Sequence, residues 1–173
     1  MGYITRELER VVLEVTEQYP VLFVGGPRQV GKTTMLQRLA EQSDRTYVTL
    51  DDLTARALAK NDPATFFQLY RPPVLVDEVQ YAPELFSQIK LLADQRRRPG
   101  DFWLTGSQVF SLMEGIRESL AGRVAILTLS PLCQSEIYSP GAGRPFVPEV
   151  DVLLAKQGVT PCADTPEIYR RIF

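Results

Sequence analysis

Fourteen residues, VLFVGGPRQVGKTT at 21–34, constrain this chain more than any others. An apolar run passes directly into a glycine-rich loop, and the loop passes into a helix-forming segment. Gly26, Gly31, Lys32 and Thr33 fit the spacing G-x-x-x-x-G-K-[ST] of a phosphate-binding P-loop. Glycines there let successive backbone N–H groups turn inward on an anion without Cβ clashes. Lys32 reaches the β/γ-phosphates as a point charge, the Thr33 hydroxyl ligates Mg²⁺, and the following helix aims its positive end at the same phosphates. The whole loop, Gly26, Pro27, Arg28, Gln29, Val30, Gly31, Lys32, Thr33 and Thr34, is therefore the expected binding segment.

A strand–loop–helix of this kind belongs in an alternating α/β layout, and the rest of the chain supplies one. Residues 4–19 read as an amphipathic helix, with Ile4, Leu8, Val11, Val12 and Val15 at helical spacing. Strands are expected at 21–24, 47–50, 73–76, 101–105 and 123–129. Helices are expected at 32–42, 53–60, 63–70, 83–96 and 108–121. The strands are nearly continuous apolar runs, the mark of a parallel sheet covered on both faces. The stretch SPGAGRPFVPEV at 139–150 reads as a linker. The expected organisation is thus one P-loop domain over 1–138, followed by 139–173 as a linker and the start of an incomplete C-terminal domain.

Composition narrows the chemistry. Histidine is absent, which removes the commonest general base and metal ligand, and with them zinc chemistry and His-based triads. The only cysteines, Cys133 and Cys162, have no metal-binding spacing and suit a reducing cytoplasm. A net charge of −2 gives no general pull toward nucleic acid, and no apolar run is long enough for a membrane span. The N-terminus is too charged for a secretory signal, so the expected location is cytoplasmic.

Three further segments carry candidate chemistry. In VLVDEVQ at 74–80 the strand ends in Asp77, placed to hold Mg²⁺, and Glu78 follows, placed to polarise an attacking water. Small-molecule kinases have no need of such a base, so the pair favours hydrolysis over transfer. In FWLTGSQ at 102–108 a strand ends in Thr105, Ser107 and Gln108, one of which can sense the γ-phosphate or the attacking water; Ser107 can equally cap the next helix. Arg123 stands just before the last strand and Arg117 on the helix above, either being a potential arginine finger for a neighbouring subunit or a dipole-favoured helix end. Asp51 and Asp52 read as helix caps, and Arg96, Arg97 and Arg98 as a solvated helix end rather than a phosphate contact.

GPRQVGKTT, YVTLDD, VLVDEVQYAPELF, FWLTGSQ and SLAGRV followed by LSPLCQSEI appear in this order. Together they resemble the prokaryotic predicted ATPases of the AAA+ superfamily, over residues 4–138, whose core precedes a nuclease-like C-terminal domain. The resemblance implies a three-layer α/β sandwich with a parallel five-stranded sheet of order 5-1-4-3-2, and ATP and Mg²⁺ as ligands. It implies Glu78 as the hydrolytic residue, Arg123 as a finger acting in trans within a homo-oligomer, and a C-terminal or partner domain driven by turnover. The sensor strand lacks the asparagine common in that superfamily. The alternative is a nucleotide-binding switch with little turnover, and a third reading is a small-molecule kinase.

Overall fold

The structure is a computed structural model that describes residues 3–107 and 110–138, without the side chains of 110–113. Backbone contacts divide the chain into two compact units. One is Leu8–Pro131; the other joins the N-terminal seven residues to the chain from Leu132 onward.

The first unit is built on a sheet of five parallel strands: β1 (Val21–Gly25), β2 (Thr46–Thr49), β3 (Val74–Asp77), β4 (Phe102–Thr105) and β5 (Val124–Thr128). Their order, β2-β3-β4-β1-β5, is the expected 5-1-4-3-2 read from the other edge. Alternation along each strand splits the core into two layers. Val21, Phe23, Val74, Val76, Phe102 and Leu104 face one side. There they meet α3 (Leu53–Asn61), α4 (Pro63–Leu69), α5 (Leu85–Arg96) and α6 (Phe110–Ser119). Leu22, Val24, Leu75 and Trp103 face the other, against α1 (Leu8–Thr16) and α2 (Lys32–Ala40). The result is a three-layer sandwich in which β1, β3 and β4 are buried along their whole length. Both faces being covered explains why these strands read as unbroken apolar runs.

Local signals start and stop the elements. Asp52 caps α3 by accepting from the amides of Thr54 at 2.7 Å and Ala55 at 2.9 Å. Asp62 caps α4 from the Thr65 amide at 3.0 Å, with Pro63 at the first helical position. The Trp103 indole N–H donates to Thr16 Oγ1 at 3.0 Å, tying the end of α1 to β4.

In three places the structure departs from expectation. The first helix begins at Leu8 and ends at Thr16, shorter than 4–19. Two elements went unread: a 3₁₀ turn at Val79–Tyr81 and α7 at Gln134–Tyr138.

In the second unit, residues 3–7 and 132–138 are described. Arg6 and Glu7 are occupied there rather than in a helix: Glu136 accepts from Arg6 Nε at 2.9 Å and from the Glu7 amide at 3.0 Å. A third bond comes from the Cys133 amide at 3.0 Å. Gln108, Cys162, the 139–150 linker and the rest of the tail lie outside the described residues.

Candidate nucleotide site

β1 ends at Gly25 and the loop turns away at once. Gly26 has φ +146° and Gly31 φ +91°, conformations that favour glycine, and Gln29 adopts φ +63°. Gly31 is the N-cap of α2 and offers no side-chain acceptor, so the first amides of that helix are left for an external anion. Lys32 is buried, and its ammonium donates to the Pro27 carbonyl at 2.7 Å and the Gly26 carbonyl at 3.2 Å. Above the loop lies a cavity of about 440 Å³ lined by Arg28, Gln29, Gly31, Lys32, Thr33, Thr34, Asp51, Glu78 and Tyr81. Pro27 accepts from Lys32 through its carbonyl, and Val30 packs against the core.

The end of β3 lies beside this loop. Asp77 is 5% exposed, and its Oδ1 accepts two hydroxyls, from Thr33 at 2.8 Å and from Thr105 at 2.7 Å. Its Oδ2 accepts from the Tyr47 phenol at 3.4 Å. Burial, then the Asp77 charge, pushes the Tyr47 phenol up from its usual 10.0. A hydroxyl has one proton and two lone pairs, so Thr33, having given its proton to Asp77, keeps lone pairs for a cation. Among the described residues no three His, Cys, Asp or Glu side chains gather into a metal cage. A cation here would take a hydroxyl, one carboxylate and further oxygens from phosphate and water, which is how Mg²⁺ is usually held. The donor set fits Mg²⁺.

Glu78 follows on the rim of the cavity in the left-handed region, φ +58°. A non-glycine residue held there is the kind of local strain that clusters at functional sites. The 3₁₀ turn that begins after it folds Gln80 back, so that the Gln80 amide donates to the Glu78 carboxylate.

The remaining candidates lie elsewhere. Ser107 is half-buried just past β4 and does not line the cavity; Thr105, two residues earlier, makes the contact to Asp77. Arg123 precedes β5, with its carbonyl bonded to the Val21 amide at the start of β1, the end of the strands opposite the P-loop. There Asp94 holds it by two bonds of 2.6 and 2.9 Å. Arg96 is spent on Asp101 at 2.5 Å, and Arg117 is exposed on the last turn of α6. Asp52 is the cap of α3, whereas Asp51 lines the cavity. Reading of the sequence missed Tyr47 and Tyr81, whose placement depends on the sheet register and the 3₁₀ turn.

Residues 18–138 match the AAA domain family. The chain belongs to that family. This AAA domain is accordingly of the nucleotide-binding, ATPase type. It is 36% identical over 127 residues to the uncharacterized proteins Rv2008c of Mycobacterium tuberculosis and Mb2031c of Mycobacterium bovis. The match covers 72% of this chain and 28% of each relative, so the chain spans about a quarter of their length. Among solved structures, the AAA domain is similar to the Walker-type ATPase PABY2304 of Pyrococcus abyssi, with a TM-score of 0.57 and 20% identity over 79% of this chain and 56% of that one. RuvB of Thermotoga maritima gives 0.51 and 19%, over 78% and 48%. At these identities the shared property is the fold.

Proposed function

We propose that this AAA domain binds ATP with Mg²⁺ and hydrolyses it, and that turnover changes the conformation of a C-terminal or partner domain. The observation that carries the proposal is the Thr33–Asp77 hydrogen bond beside the P-loop, with Glu78 next in sequence on the cavity rim. It joins a hydroxyl and a carboxylate beside the loop, with a potential base on the rim of the same cavity.

Each residue has a role set by its position. The backbone N–H groups of residues 26 and 28–34 and the Lys32 ammonium receive the phosphates. Thr33 and Asp77 hold Mg²⁺, which when bound neutralises charge on the phosphate oxygens. Glu78 accepts a proton from the attacking water, a role that typically contributes about 10²–10⁴ in rate. Ser107 senses the γ-phosphate from the loop after β4. Arg123 completes the site of a neighbouring copy, since it stands at the far end of the strands from its own P-loop. The setting is cytoplasmic, in keeping with the free thiol of Cys133. Among the described residues no helix is long and apolar enough to cross a membrane. Residues 1–138 act as the ATPase domain, and 139–173 are a linker and the start of the C-terminal domain that turnover moves.

The test is phosphate release from ATP with nucleotide binding measured in parallel, for wild type, Lys32→Ala and Glu78→Gln. Turnover by wild type, lost binding in Lys32→Ala, and binding without turnover in Glu78→Gln are expected. Binding of ATP by wild type with no phosphate released under any condition, including concentrations at which copies associate, would replace hydrolysis with a nucleotide-dependent switch.

A further inference from the structure

Tyr47 lies on the edge strand β2, opposite Leu75 of β3, so Asp77 is its diagonal neighbour on the same face. Aromatic side chains span that diagonal, and strand side chains lean along the strand. The phenol accordingly reaches Asp77 Oδ2 at 3.4 Å.

A carboxylate offers about four acceptor positions, two on each oxygen. Thr33 and Thr105 take both positions on Oδ1. Tyr47 takes one on Oδ2 and is the only side chain among the described residues that reaches this oxygen. One position is left. A carboxylate pinned at Oδ1 alone can still swing about that oxygen, whereas one pinned at both cannot.

We propose that Tyr47 is a positioning residue that locks the Asp77 carboxylate with a single free acceptor position and thereby makes the site prefer Mg²⁺ to Ca²⁺. Mg²⁺ keeps several waters, demands a regular octahedron and needs only one carboxylate oxygen or a water bound to it. Ca²⁺ takes six to eight oxygens, often both oxygens of one carboxylate, and tolerates irregular geometry. A locked carboxylate with one open position suits the first ion and handicaps the second.

The inference rests on Asp77 serving the cation as proposed above, and the experiment separates the two. Binding of a fluorescent ATP analogue is titrated with Mg²⁺ and with Ca²⁺ for wild type, Asp77→Asn, Tyr47→Phe and Tyr47→Leu, with circular dichroism showing which variants are folded. Loss of the phenol is expected to raise the Mg²⁺ concentration for half-maximal effect about 10-fold or more. The preference for Mg²⁺ over Ca²⁺ is expected to narrow in the same variants. If Asp77→Asn loses the Mg²⁺ response while folded phenol-less variants keep the wild-type midpoint within about twofold and the same preference, the role of Tyr47 is overturned and Asp77 stands. If wild-type binding ignores Mg²⁺ altogether, both fail.

Discussion

A Cβ on Gly26 would stand 2.3 Å from the carbonyl oxygen of Leu129. The obstacle is backbone, held in place by the bond from the Leu129 amide to the Gly25 carbonyl at 2.8 Å. Gly26 also sits at φ +146°, where L-residues are strained. Gly26→Ala should therefore destabilise the fold by about 2–4 kcal/mol, combining overpacking with backbone strain. Urea unfolding measures this, and a loss below about 1 kcal/mol would mean that the strand end simply shifts aside.

Thr105 is fully buried and its hydroxyl goes to Asp77 at 2.7 Å. Thr105→Val keeps the shape but removes one donor from a buried carboxylate, at an expected cost of about 1–2 kcal/mol. Thr105→Ser should restore most of it. Equal destabilisation by Ser and Val would assign the effect to the methyl group's packing rather than to the hydroxyl.

Gln80 has a buried Oε1 with no hydrogen-bond partner among the described residues. An orphaned acceptor of this kind costs about 1–3 kcal/mol. Gln80→Met removes it, so stability should stay level or rise by up to about 1 kcal/mol, while turnover falls because the amide no longer holds the Glu78 carboxylate. Thermal melts and phosphate release, measured together, check both. A clear loss of stability would show that the amide's bond to Glu78 outweighs the orphaned oxygen.

Burial by itself would push the Glu136 carboxyl up. Bonds from Arg6, Cys133 and Glu7, with the Arg6 charge, outweigh that and hold it below its usual 4.5. A carboxyl depressed in the folded chain contributes stability that is fully present above 4.5 and is lost as pH falls through its lowered value. Protection of the Glu7 and Cys133 amides from hydrogen exchange should thus be steady at neutral pH and decline only below about 4.5. Glu136→Gln should show reduced protection at neutral pH and converge with wild type once the carboxyl is protonated. Protection that declines already near neutrality would point to a different group.

What the sequence reveals depends on how local each feature is. The five strands, their parallel sheet and the P-loop follow from contiguous runs such as VLFVGGPRQVGKTT, in which each residue's neighbours carry the information. The strand order, by contrast, is implied only by the resemblance to AAA+ ATPases. Asp77 is legible for the same reason, as the acid that ends VLV. By contrast, YVTL is ordinary strand composition, and Tyr47 gains its role only from the register against Leu75. Thr105 and Ser107 are two hydroxyls two residues apart; the register of β4 against β3, which sets Leu104 beside Val76, carries the first of them to Asp77. The return of Gln80 onto Glu78 depends on a positive φ at a glutamate, a conformation that composition does not foretell. Helix α7 is five residues long, too short to display a period, and its Glu136 meets a partner 130 positions away.

The carbonyls of Gly26 and Pro27 give the Lys32 ammonium a parking place within its own loop. A phosphate held by Lys32 as proposed would therefore enter by exchange, the amine trading peptide oxygens for phosphate oxygens. The affinity it lends is the difference between two occupied states, and it falls short of the full strength of a lysine–phosphate contact. Grip on nucleotide at this position is thus adjustable from either side, by weakening the resting contacts as readily as by strengthening the bound ones.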